Sequence, residues 1–115
     1  DFTKAIELDP DDAWAYYARA NGYYDLGRYE EAIPDYTKAI ELDPDYFWAY
    51  GNRALVYNNL GRYEEAIVDF TKAIELDPDY AWFYYNRALV YSSLGRDEEA
   101  IADEATACSL GSQYC

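Results

Sequence analysis

Apolar residues recur along this chain every three or four positions, which is the spacing of one face of an α-helix. Tyr16, Ala20 and Tyr23 follow it near the start of the chain, and the same spacing returns twice further on. A glycine comes directly after each of these stretches, and glycine readily takes the left-handed conformation that commonly ends a helix. The pattern therefore predicts three helices, Ala13–Leu26, Phe47–Leu60 and Ala81–Leu94.

A second helix is predicted after each glycine. Paired acidic residues such as Glu30 and Glu31 lie in its first turn, where carboxylates interact favourably with the helix dipole. An Asp-Pro sequence ends the first two of these helices, because proline cannot continue a helix. Pro34 lies inside the first one, and we expect a local kink there with the proline ring facing solvent. The predicted ranges are Tyr29–Leu42, Tyr63–Leu76 and Asp97–Leu110.

The helix pairs are copies of one unit. Segments 28–46 and 62–80 are nearly identical, and Pro10, Pro44 and Pro78 keep the same spacing, close to the roughly 34-residue period of a helical repeat. We expect residues 1–12 to be the remnant of a preceding second helix with its linker. Three repeats follow, at residues 13–46, 47–80 and 81–115.

The composition gives the chain a strongly acidic character. There are 9 Lys and Arg against 23 Asp and Glu, for a formal net charge of -14. Nucleic acids and anionic membranes attract basic surfaces, so we expect neither as a partner. Aromatic residues make up 19% of the chain, which is enough to bury a core.

The repeat resembles the tetratricopeptide repeat (TPR) family. The resemblance covers the whole chain and rests on Leu26, Gly27, Tyr29, Ala32, Tyr36, Ala39 and Pro44 in the first repeat, and on Leu60, Gly61, Tyr63, Ala66, Phe70, Ala73 and Pro78 in the second. It implies an all-α fold, a right-handed α-solenoid of antiparallel helix pairs. The third repeat departs from the family pattern with Asp97, Glu104 and no closing proline, which we interpret as a polar cap on the end of the stack.

In TPR proteins the first helix of each pair lines a concave groove that binds peptides. The resemblance therefore implies a non-catalytic protein–protein interaction scaffold with a groove in this chain. Asn52 and Asn86 match the groove asparagine that holds a ligand backbone in that family. The candidate groove residues are Trp14, Tyr17, Asn21, Trp48, Asn52, Leu55, Trp82, Tyr85, Asn86 and Leu89.

Some of these side chains have an alternative role in packing. The three tryptophans could contact a ligand or wedge between adjacent repeats, and the sequence does not separate the two. For Arg19, Arg53 and Arg87 we expect ion pairs with acidic residues of neighbouring helices rather than ligand contacts, and we expect these pairs to be exposed and weak.

One class of TPR ligand requires basic residues at positions where this chain has none. Some TPR co-chaperones bind acidic chaperone tails through a carboxylate clamp of two asparagines and three basic residues. Asn21 and Asn52 stand at the asparagine positions here, but Tyr17, Trp82 and Asn86 stand at the basic ones. We therefore expect a neutral or basic peptide with apolar side chains, and not an acidic tail.

The sequence gives no sign of catalysis, and we expect neither a metal nor another cofactor. It contains no histidine, no phosphate-binding loop and no nucleophile motif. Cys108 aligns with Ile40 and Ile74, so we expect it in the core. Cys115 is expected to be a free thiol in the tail, with a disulfide as the less favoured alternative.

Two other interpretations of the repeat stay open. Exposed faces at the two ends could stack on other copies, which would make the chain a self-associating module. The near-identity of the repeats also suits an engineered or recently duplicated module. The chain enters the pattern in the middle of a repeat, so we expect a segment of a longer protein. We also expect a cytoplasmic location.

Overall fold

The structure, a computed structural model, describes residues 2–115. These residues form an all-α solenoid of seven α-helices and a final 3-10 turn. None of the described helices is long and apolar enough to cross a membrane. The helices are α1 (Phe2–Leu8), α2 (Ala13–Asp25), α3 (Tyr29–Leu42), α4 (Phe47–Asn59), α5 (Tyr63–Leu76), α6 (Ala81–Ser93) and α7 (Asp97–Leu110), and the 3-10 turn spans Ser112–Tyr114.

Each helix packs mainly on its neighbours in sequence. The pairs α2/α3, α4/α5 and α6/α7 make the most extensive contacts, and α3 on α4 and α5 on α6 join one pair to the next. The result is an elongated body of 46 × 26 × 22 Å. Helix α1 packs on α2, as predicted for the second helix of a preceding repeat.

The turns inside the pairs repeat one geometry. Gly27 has a φ of 75°, in the left-handed region. Its N–H donates to the carbonyl of Tyr24, and the N–H of Arg28 donates to the carbonyl of Tyr23 at 2.8 Å. These two bonds form a Schellman motif, which satisfies carbonyls that the helix end would leave unpaired. Gly61 and Gly95 take the same conformation, so the glycines predicted to end the helices do so.

Small residues let the helices of a pair approach closely. Ala20 and Ala32 are fully buried in the first pair, and the alanines at the equivalent positions of the other pairs are buried too. Tyr36 and Phe70 are the largest side chains that fill the space beside them. At the same position the third repeat has Glu104, which is exposed at the end of the stack.

Ion pairs join the two helices of each repeat. Arg53 in α4 binds Asp69 in α5 through two hydrogen bonds of 2.7 and 2.8 Å, and its third nitrogen donates to the Thr37 hydroxyl in α3. Arg19 and Arg87 form the same two-bond pairs with Asp35 and Asp103. The expected pairing is therefore confirmed.

The expectation that these pairs are exposed was wrong. The Asp69 side chain is only 4% exposed and that of Arg53 17%. Burial raises the pKa of Asp69, although Arg53 opposes this shift by hydrogen bonding and by its charge. Asp69 lies one helix turn from both Ala66 and Ala73, on the face of α5 that packs against the neighbouring helix. Its side chain is therefore buried together with these alanines.

The C-terminal tail differs from the prediction. Cys115 is bonded to Cys108 in a disulfide and is not a free thiol, and Cys108 is half-buried rather than in the core. The 3-10 turn that follows Gly111 returns the chain along α7, which brings the two Cα atoms within 4.6 Å. Pro34 is exposed, as predicted, and α3 continues past it to Leu42, while the expected kink stays a prediction.

Removal of one partner of a buried ion pair tests its contribution. We expect Asp69→Ala to lower the free energy of unfolding by roughly 3 kcal/mol, because it leaves the Arg53 guanidinium buried without its counter-charge. Urea unfolding followed by circular dichroism measures the change. Glu65→Ala, which removes the exposed partner of Arg62, is the control and should have little effect. Equal effects of the two variants would contradict a special role for the buried pair.

The two helical glycines should respond to alanine in opposite directions. A Cβ added at Gly51 would lie 2.5 Å from Cε1 of the buried Phe83, whereas one at Gly22 would meet no atom within 4 Å. We expect Gly51→Ala to destabilise the fold by about 1–3 kcal/mol through overpacking. Gly22→Ala should stabilise it by up to about 1 kcal/mol through helix propensity. Thermal unfolding of both variants tests this, and two changes of the same sign would refute it.

Candidate functional site

Three predicted groove residues form one hydrogen-bond network. The Asn52 side-chain nitrogen in α4 donates to the Tyr17 hydroxyl and to Asn21 Oδ1 in α2, both at 3.0 Å. The Tyr36 hydroxyl in α3 donates to the same Asn21 oxygen. The network therefore links two repeats and fixes the orientation of each amide.

This network changes the chemistry that Asn52 offers. An amide nitrogen carries two hydrogens, and both are directed to protein acceptors here. Asn52 can therefore interact with a ligand through its carbonyl oxygen, which accepts hydrogen bonds, and the network stays intact. Asn86, predicted to play the same role, donates instead to the Trp82 carbonyl of its own helix.

A cavity of about 260 Å³ lies beside the network, between α2, α3 and α4. It is lined by Asn21, Tyr24, Asp25, Tyr36, Asn52 and Leu55. Tyr36 was named in the sequence analysis only as a repeat-signature residue, and Tyr24 and Asp25 were missed. They lie three and four positions after Asn21, and that helical spacing was the signal that could have found them.

Two of the three tryptophans pack within the stack, and ligand contact by the third stays a prediction. Trp48 is half-buried and its ring centroid lies 4.8 Å from that of Tyr80 and 5.8 Å from that of Phe83, so it wedges against the next repeat. Trp82 is also half-buried and its ring contacts Phe70. Trp14 is 56% exposed and touches Phe2 edge to face.

Apolar side chains are exposed on the same helices. Besides Trp14, Tyr85 is 37% and Leu89 is 46% exposed. Leu55 is half-buried and packs against the core of its repeat. Large apolar side chains in water favour contact with a partner when several lie on one face.

The disulfide-bonded tail covers one end of this face. The Tyr114 ring packs on the Tyr85 ring with centroids 5.0 Å apart. Gly111 approaches Ala81 at the start of α6, and Tyr114 lines a second surface cavity with Trp82. The tail thus occupies space next to two predicted groove residues, which sequence spacing alone does not indicate.

A buried and a half-buried tyrosine lie behind the face. Burial raises the pKa of Tyr46 to about 12, with a further contribution from Tyr17, whose ring lies 4.8 Å away. Burial also raises the pKa of Tyr36, and the Asp25 carboxylate adds to this shift. Both residues therefore stay neutral at pH values at which a tyrosine of an unfolded chain ionises.

Comparison with known proteins assigns the class of this fold. It is a helical-repeat protein, and models of the TPR repeat match residues 20–61 and 56–95, while further tetratricopeptide repeat models match residues 2–33 and 83–110. The chain belongs to the tetratricopeptide repeat family, and it is a protein-interaction scaffold in the general sense of that family. No curated protein matches it.

Solved structures give the same assignment. MamA superposes with a TM-score of 0.91 at 27% identity, and the match covers 96% of this chain and 64% of MamA. The second TPR of Spaghetti (RPAP3), solved with the HSP90 peptide SRMEEVD, is 37% identical with a TM-score of 0.83, over 85% of this chain and 91% of that one. YrrB, described as a TPR protein with an unusual peptide-binding site, is 32% identical with a TM-score of 0.88, over 96% of this chain and 57% of YrrB.

Alkaline pH should destabilise the fold through Tyr36 and Tyr46. An unfolded tyrosine has a pKa of about 10, so the unfolded chain loses protons before Tyr36 and Tyr46 do in the folded state. Stability that is fully present below pH 10 is therefore lost as the pH rises from 10 to 12.

Urea unfolding at pH 8, 10 and 11 measures this loss. Tyr36→Phe gives the first repeat a phenylalanine, the residue that the second repeat has at the equivalent position, Phe70. This variant should lose less stability over the same pH range. An equal loss in this variant would contradict a role for Tyr36.

Proposed function

We propose that this chain binds a peptide segment in the groove formed by α2, α4 and α6. The observation that carries the proposal is the combination, on these helices, of exposed apolar side chains with a fixed polar network. Trp14, Tyr85 and Leu89 offer apolar area, and Asn52 offers an acceptor for a peptide N–H. Aromatic anchors beside oriented polar groups are typical of peptide-binding surfaces.

The groove is organised before a ligand arrives. Asn21 accepts from Asn52 and Tyr36, and Tyr17 packs on Tyr46, so each side chain is held by at least one other. Side chains that are already ordered lose little conformational entropy on binding. The proposed mechanism is therefore passive capture without catalysis, in a groove that does not need to rearrange.

The charges of the groove favour a neutral or basic ligand. Spaghetti binds the acidic peptide SRMEEVD, and such a ligand needs cations to receive its carboxylates. In this chain Arg19, Arg53 and Arg87 are each held by an aspartate. We therefore propose that acidic tails are not its ligands.

Self-association is the second candidate function. Ile101 at the free end is 64% exposed, whereas the equivalent Ile67 inside the stack is 9% exposed. Asp97 and Glu104 lie exposed on the same helix and oppose close stacking. Light scattering over a concentration series separates the candidates, because a constant monomer mass supports peptide capture and a rising mass supports assembly.

Binding of selected peptides tests the groove. Peptides selected from a random library against the protein should bind Asn52→Ala more weakly by about 1–3 kcal/mol, because their backbone loses an acceptor and the network loses its donor. Fluorescence anisotropy measures the affinity, and circular dichroism verifies the fold. Asn58→Ala on the same helix is the control and should bind like the wild type. Unchanged binding by a folded Asn52→Ala would contradict the proposed role.

The acidic peptide gives a second test. We expect SRMEEVD to bind far more weakly than the selected peptides under the same conditions, because no unpaired arginine on the three helices can receive its carboxylates. Tight binding of SRMEEVD would show that the proposed charge preference is wrong.

A further inference from the structure

The three groove helices carry a single carboxylate. Asp25 is the one Asp or Glu in α2, α4 and α6. At the equivalent position α4 has Asn59 and α6 has Ser93, which are both neutral. A chain with 23 acidic residues thus places almost all of them away from these helices.

Folding does not account for the charge at Asp25. It is the last residue of α2, where the helix dipole disfavours a negative side chain. It is exposed, and among residues 2–115 its carboxylate has neither a hydrogen-bond donor nor a cation as partner. The neutral residues of the other repeats suit this position better.

The cavity beside Asp25 presents further acceptors. The amide hydrogens of Asn52 and the hydroxyl hydrogen of Tyr36 are directed to other side chains of the network. Asn52 lines the cavity, and no hydrogen-bond donor of the described chain reaches its carbonyl oxygen, so this oxygen can accept from a ligand. Together with the Asp25 carboxylate, this makes a site that suits a group rich in N–H donors.

The remaining walls suit an aliphatic stem. Leu55 and the Tyr24 ring line the cavity, which has a volume of about 260 Å³. Lysine and arginine pack their methylene groups on apolar surfaces while the charged end meets polar groups. An aromatic ring also attracts a cation placed over its face.

We propose that this cavity binds a basic side chain of the partner peptide, arginine or lysine, with Asp25 as its ion-pair partner. The proposal rests on the groove function proposed above and adds the position and the chemistry of one anchoring side chain. It also gives a reason for the one carboxylate on these helices.

The experiment uses single amino-acid probes. N-acetyl-arginine amide and N-acetyl-lysine amide are titrated into the isotope-labelled protein, with N-acetyl-norleucine amide as the uncharged probe. We expect saturable NMR shifts of the Asn21 and Asn52 side-chain amides with the two basic probes. Asp25→Asn should weaken their binding at least tenfold, while Glu41→Gln, which removes an exposed charge of α3 outside the cavity, should leave it unchanged.

A thermal melt distinguishes lost binding from lost folding. Relief of the unfavourable helix-end charge should leave the melting temperature of Asp25→Asn equal to or above that of the wild type. Equal shifts with norleucine amide, or equal weakening by Glu41→Gln, would overturn the proposal.

Library peptides separate this proposal from the groove function. Groove peptides that lack basic residues and bind Asp25→Asn like the wild type would leave the groove function standing and refute the basic subsite. Saturable arginine-amide binding that depends on Asp25, with no peptide selected, would support the subsite and count against the proposed groove function.

Discussion

The arrangement of the helices depends on a buried arginine–aspartate pair that recurs in every repeat. Arg53 shows how it works, since its guanidinium binds Asp69 in the next helix and Thr37 in the preceding one. A planar donor with a fixed geometry tolerates little sliding between the helices that it joins. A hydrophobic contact alone would fill the same space but would permit other registers, because it has no direction. The alanines let the helices approach closely, and the two-bond geometry of the ion pair favours one register over others.

The same pairs determine what is left for a partner. Each arginine of the groove helices is committed to an aspartate, so the exposed face retains aromatic rings and amides with little free charge. Orientation on that face comes from hydrogen bonds between repeats, in which Asn52 reaches 35 residues back along the chain to Tyr17. A shift of one repeat against the next would break this network. The register of the scaffold and the polarity of the proposed groove are therefore coupled.

Local signals in the sequence account for the success of the helix predictions. Glycine and Asp-Pro act within a few residues of the ends they define, and α3, α5 and α7 begin and end where the pattern places them. The sequence predicted that the three arginines pair with acidic residues of neighbouring helices. It did not predict that these pairs are buried, because burial depends on how two helices face each other. Prediction failed most clearly at Cys115, whose disulfide depends on the path of the tail after Gly111. The direction of the Asn52 hydrogen bonds and the cavity at Asp25 also require the distance between repeats, which a sequence pattern does not contain.

The differences between equivalent positions carry the remaining argument. Core positions repeat closely, as Ala20, Ala54 and Ala88 do, because helix packing demands the same volume in each pair. Positions on the groove face differ, with Tyr17, Gly51 and Tyr85 in one register. Gly51 is explained by the buried Phe83 beside it, so packing determines that residue. At the ends of these helices, Asn59 and Ser93 donate to carbonyls of their own helices and Asn59 also donates to the Tyr24 hydroxyl, whereas the Asp25 carboxylate has no hydrogen bond within residues 2–115. The packing of the repeats does not require this charge, and the basic subsite proposed at the cavity would give a reason for it.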